Sequence, residues 1–179
     1  MTSTRPPLPV PLVVMGVSGA GKSTIGASLA VAFGAPFHDA DDFHPPASKA
    51  KMAAGRPLDD DDRGPWLATL SALIGDERAA GRPVVLACSA LKRRYRDRLV
   101  VDAPDTVFVH LGGTRDLIAA RQRDRAHEYM PTSLLDSQFE TLEPLEADER
   151  GILVDVRATP QQVVDDVRRR LQAAIVARS

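Results

Sequence analysis

The chain has 179 residues, 44% of them apolar and 26% charged, with a formal net charge of −1. This is the composition of one ordinary globular domain, long enough to bury about 70% of the surface its unfolded chain exposes. With 4% aromatic residues and no basic field it offers no platform for nucleic acid, and its one cysteine, Cys88, excludes an internal disulfide and fits a reducing, cytoplasmic setting.

Residues 1–11 hold four prolines and no continuous apolar run, so they lack a signal-peptide core and are expected to form a disordered tail. No later window approaches the ~20 apolar residues that cross a bilayer, so no membrane association is expected. An apolar run at 12–17 predicts a buried strand. It leads straight into Gly16-Val17-Ser18-Gly19-Ala20-Gly21-Lys22-Ser23, a complete GxxxxGKS loop, and then into an alanine-rich helix over 23–33. A strand, a glycine turn and a helix in that order let backbone N–H groups converge on a phosphate. Lys22 can reach the β- and γ-phosphates, the Ser23 hydroxyl suits Mg²⁺, and Thr24 is counted with the nucleotide contacts. The loop predicts binding of a nucleoside triphosphate, with ATP the expected donor.

Further apolar runs at 36–38, 84–88, 106–111 and 152–156 predict four more strands. Most are continuous rather than alternating, as for parallel strands covered on both faces. Helical spacing fills the gaps at 65–80, 91–101, 115–125 and 160–176. The alternation predicts a three-layer α/β fold, a five-stranded parallel sheet with helices on both faces, in a single domain over 12–179. Two polar inserts break the rhythm, at about 39–65 and 124–149. They follow strand ends, where ligands bind in open α/β sheets, so they predict an acceptor site and a small lid.

The loop needs a partner acid beside Mg²⁺. The run at 84–88 passes into Ser89-Ala90-Leu91-Lys92 without one, and Asp155, though it ends an apolar run, stands far along the chain and reads first as a strand terminus. Asp39, at the end of the short second strand, is the better candidate. Asp41 shares its side of an extended segment and is placed to accept the acceptor's hydroxyl proton. The acids at 59–62 read as solvated capping residues for a helix beginning near Pro65. Asp61-Asp62-Arg63-Gly64 also fits a GTPase switch pattern, but no guanine-reading motif accompanies it.

These residues in sequence resemble the gluconokinase family. The resemblance is carried by the phosphate loop, by Asp39-Ala40-Asp41-Asp42-Phe43-His44-Pro45, and by the block from Lys51-Met52 to Pro65-Trp66-Leu67. Cys88-Ser89-Ala90-Leu91-Lys92 and Ser137-Gln138-Phe139-Glu140-Thr141-Leu142-Glu143 continue it, and it spans about 12–167. It implies the shikimate-kinase-like branch of P-loop folds, frequently a homodimer, and ATP-dependent phosphorylation of D-gluconate at its 6-hydroxyl. A polyol carboxylate needs cations and several polar groups, and the resemblance assigns these to Asp41, His44, Lys51, Arg63, Ser89, Lys92 and Gln138. It implies lid arginines as well, Arg121 on the nucleotide and Arg125 on the transferring phosphoryl group, four apart on one helix face, with Arg123 solvated. One departure stands out: His127-Glu128-Tyr129 precedes Met130-Pro131 where the family commonly has Gly-His-Phe, so no lid histidine role passes to His127. The readings weighed against this one are a shikimate or nucleoside monophosphate kinase and a non-catalytic nucleotide switch.

Overall fold

The computed structural model describes residues 7–124 and 132–176. Five parallel strands, β1 (Leu12–Met15), β2 (Phe37–Asp39), β3 (Val85–Ala87), β4 (Val107–Gly112) and β5 (Gly151–Asp155), form one sheet in the order β2-β3-β1-β4-β5. Register is continuous across the centre, with Val13 opposite Leu86 on one side and Phe108 on the other. The helices are α1 (Lys22–Phe33), α2 (Pro46–Ala53), α3 (Asp60–Ala79), α4 (Arg93–Leu99), α5 (Arg115–Asp124), α6 (Thr132–Thr141) and α7 (Pro160–Val176).

The apolar runs of β1 and β3 are wholly buried because both faces are covered. One cluster joins α1 and α7 to the sheet through Leu29, Phe33, Val109, Val163 and Val167. The other joins α3 and α4 through Trp66, Leu70, Ile74, Leu86 and Leu99. β5 departs from the continuous pattern: it alternates, with Ile152 and Val154 buried and Leu153 62% exposed, because an edge strand here is covered on one face only.

Three expectations need correction. Residues 7–11 are not all tail, because Leu8 is 6% exposed in the first cluster and the Pro11 carbonyl accepts from Val107 N–H at 2.9 Å; residues 1–6 lie outside the described residues. The third helix starts at Asp60, not Pro65. Asp59 and Asp62 form a reciprocal capping box, each carboxylate accepting the other's backbone N–H at 2.9 Å, which satisfies two orphan donors and starts the helix ahead of Pro65. Leu91 and Lys92 stay outside α4, because the Leu91 carbonyl accepts from Glu143 N–H at 2.8 Å. The inserts contain α2 and α6, short helices without a strong apolar stripe.

Arg96 ties α4 to the chain beyond α6. Its side chain is 0% exposed against Glu149 at 5%, and Nε and Nη2 donate to that carboxylate at 2.5 and 2.9 Å. The remaining donors reach the carbonyls of Ala90, Leu91, Glu143 and Pro144 at 3.1–3.2 Å. Burial opposes ionisation of Glu149, but the Arg96 bonds and the Glu146 N–H outweigh it and hold its pKa below the ordinary glutamate value. A depressed acid stabilises the fold fully above its unfolded pKa, near 4.3, and loses that contribution as pH falls through the lower folded value. Glu149→Gln is therefore expected to cost about 3–5 kcal/mol at neutral pH, the usual cost of stranding one buried charge. Denaturant titrations at pH 7 and pH 3.5 check it: the gap between variant and wild type narrows at the lower pH.

Candidate active site

The phosphate loop starts where β1 ends. Gly16 has φ 142°, and a Cβ there would stand 3.0 Å from the Leu111 carbonyl oxygen, so the loop passes β4 too closely for a side chain. Gly21, at φ 98°, turns the chain into α1 and leaves the helix N-terminus facing the cleft. Val17 and Ala20 are buried beneath the loop, while Thr24 lies exposed in the first turn of α1. Lys22 Nζ donates to the Val17 carbonyl at 3.2 Å. Desolvation pulls its pKa below the lysine norm, with Asp41 the leading opposing charge and Asp39 also holding it up. Gly16 N–H donates to the Ser89 carbonyl at 3.3 Å, so Ser89 is joined to the loop through its backbone.

The carboxyl end of β2 brings the acids to the same place. Ser23 Oγ donates to Asp39 Oδ2 at 2.7 Å, and Asp41 N–H donates to Asp39 Oδ1 at 3.1 Å. Asp41 rides on a short 3₁₀ turn, Ala40–Phe43, with its side chain 87% exposed to the open cleft. The protein mass around it and then the neighbouring Asp39 charge raise its pKa above the aspartate norm. His44 Nε2 stands 3.7 Å from Asp41 Oδ1. Burial lowers the pKa of His44, and its Nδ1 has no hydrogen-bond partner among the described residues. The ring stacks on Trp66 at 4.3 Å and 14°, and the indole N–H donates to the Ala40 carbonyl at 2.8 Å. Trp66, which its helical spacing marks only as core, thus braces the turn that carries Asp41.

A cluster of basic residues lies past His44, which feels the charge of Arg63. Arg63 on α3, Lys92 just before α4 and Arg94 in its first turn lie 5.5–5.7 Å from the Tyr95 ring centre, with Asp60 against Lys92, Arg94 and the Tyr95 hydroxyl. Arg94 carries no sequence signal, because only the packing of α4 on α3 brings it and Arg63 to the same ring. Lys51 is engaged by acids: its ammonium pairs with Asp59 at 3.1 Å and with Asp62, so it closes the capping box. Gln138 is also committed, its Oε1 accepting the Ser18 N–H at 2.6 Å on the donor side. Arg121 is half-buried on α5, while Asp155 is bonded to its neighbour Arg157, which holds its pKa at about 2, as suits a strand terminus. Arg125 and His127-Glu128-Tyr129 lie outside the described residues. Cys88 is buried and its thiol is pushed up to about 12, so it stays protonated and inert.

A phosphate loop with its lysine, a serine–aspartate pair at the helix start and a second acid beside a buried histidine define a P-loop phosphotransferase. Residues 12–145 match the family described as the AAA domain. The chain is 44% identical to the gluconokinase of Gluconobacter oxydans over 162 residues, covering 90% of this chain and 91% of that one. A crystal structure of a gluconokinase from Sinorhizobium meliloti superposes with a TM-score of 0.84 at 44% identity, over 97% of this chain and 99% of the other. The chain belongs to the gluconokinase family. Shikimate kinase from Aquifex aeolicus shares the fold alone, with a TM-score of 0.60 at 15% identity over 93% of this chain and 99% of that one.

Proposed function

We propose that this chain transfers the γ-phosphoryl group of ATP to the 6-hydroxyl of D-gluconate, giving 6-phospho-D-gluconate and ADP. The observation that carries the reading is the meeting of the Ser23–Asp39 pair, Lys22 and Asp41 beside the phosphate loop, with His44 against Asp41 and the charge of Arg63 acting on His44. Family membership supplies the acceptor's identity.

Residues 16–24 bind the phosphates, and Lys22 neutralises charge as the bond to the leaving oxygen lengthens. Asp41 receives the 6-hydroxyl proton, and Asp39 is close enough to share the metal side of the work. His44, Ser89 and the basic cluster hold the hydroxyls and carboxylate; Arg121 and Arg125 serve the nucleotide and the transferring group. Ser23 and Asp39 suit Mg²⁺, since their oxygens are adjacent and hard, and this ion takes few protein ligands beside phosphates and water. When bound, Mg²⁺ would supply charge neutralisation across the phosphates. Cytoplasmic location and a homodimer belong to the same proposal, the first supported by the lone buried thiol Cys88, the second by the family alone. Among the described residues no helix is long and apolar enough to cross a membrane.

ADP release measured with gluconate, shikimate, nucleoside monophosphates or no acceptor tests this. Gluconate-dependent turnover is expected; turnover indifferent to gluconate, or none, refutes it.

A further inference from the structure

Two glutamines grip one residue of the phosphate loop. Ser18 N–H donates to Gln138 Oε1 at 2.6 Å, and Gln122 Nε2 donates to the Ser18 carbonyl at 3.1 Å. They come from α6 and α5, which place them 120 and 104 residues from Ser18, so only the tertiary fold assembles the grip. Both bonds are part-buried, and the Gln122 stem lies flat on the loop: a Cβ added to Gly19 would stand 2.5 Å from its Cγ.

A peptide unit is planar and trans, so fixing its C=O also fixes the N–H on its opposite side. Gln122 holds the Ser18 carbonyl toward α5 and thereby turns the Gly19 N–H away from α5. Gln138 holds the Ser18 N–H and so turns the Val17 carbonyl the opposite way. That same carbonyl accepts from Lys22 Nζ at 3.2 Å and from Ala20 N–H at 3.2 Å. Two successive peptide planes, one aiming a loop N–H and the other seating the lysine, are each set by one glutamine. The loop's own backbone leaves these planes free to turn, because Gly16, Gly19 and Gly21 all sit at positive φ and glycine adopts several alternatives at small cost.

We propose that Gln122 and Gln138 are positioning residues for the nucleotide, acting through the backbone of Ser18, and that Gln138 serves the donor rather than the acceptor. This rests on the reading of residues 16–23 as the phosphate loop. Gln122→Met and Gln138→Met keep length and bulk while deleting the polar contact. Each is expected to weaken ADP binding, by calorimetry, about tenfold, and to raise the KM for ATP while the KM for gluconate at saturating ATP stays within about twofold. A merely structural role would lower the thermal midpoint and the amount of active enzyme without separating the two KM values. A raised gluconate KM with normal ADP affinity makes Gln138 an acceptor contact and overturns the proposal. Unchanged ADP affinity in both variants, or failure of both to fold, overturns it too. If one variant fails to fold, the other decides alone. Wild-type turnover in Lys22→Ala instead removes the phosphate-loop reading itself, so the two failures are distinguishable.

Discussion

Lys22→Ala is expected to abolish phosphoryl transfer, with kcat falling by at least about 10²–10³, the usual cost of removing one preorganised charge-stabilising group from an active site. The fold is expected to survive. Among the described residues the ammonium makes one hydrogen bond, to the Val17 carbonyl, and desolvation already works against its charge, in the direction of its lowered pKa. The variant's thermal midpoint should therefore equal or exceed that of the wild type while turnover disappears. Steady-state kinetics beside a melting curve checks both halves, and wild-type-like kcat would remove Lys22 from the mechanism. Lys22→Arg is not expected to restore activity, because a planar fork cannot occupy the place of a compact ammonium.

Asp41→Asn separates the two substrates. A base acts on the hydroxyl, so kcat/KM for gluconate is expected to fall about 10²–10⁴-fold while the Kd for ATP stays near the wild-type value. The wild-type pH profile carries a second signature. Asp41 must be ionised to accept a proton, so the rate drops as pH falls through its pKa. Because the protein surrounding the turn and the Asp39 charge raise that pKa, the drop begins at higher pH than an ordinary aspartate would give, and in Asp41→Asn this limb should vanish. Stability moves the other way. An acid whose pKa is raised on folding binds its proton more tightly in the native state, so its contribution is lost as pH rises through the folded value. At neutral pH the amide variant should be at least as stable as the wild type. Equal losses for ATP and gluconate would instead place Asp41 on the metal, and the parts given to Asp39 and Asp41 would be exchanged.

How much of this was legible in the sequence depended on the distance over which each interaction acts. β1, β3 and β4 were readable because central strands must be apolar on both faces. The phosphate loop was readable because all its parts are contiguous. Asp39 and Asp41 were readable from their position at the end of a strand. The start of α3 was missed because Pro65 is a strong local signal, and nothing nearby announces that Asp59 and Asp62 cap each other. The same pair claims Lys51, which the family motif had lent to the acceptor. α2 and α6 escaped because their burial depends on neighbours: α2 buries Ser48, and α6 sets Leu135 into the first cluster. Arg63 and Arg94 around Tyr95, Arg96 on Glu149, and Gln122 with Gln138 on Ser18 are products of packing between distant segments, which periodicity cannot report.

Trp66 is the only tryptophan in the chain, and it lies beneath the turn that carries Asp41, hydrogen-bonded to Ala40 and stacked on His44. All indole emission from this protein therefore originates at a single point, under the proposed acceptor site. The chain comes with its own optical probe, already seated where the chemistry is assigned, and no label need be attached to watch that turn at work.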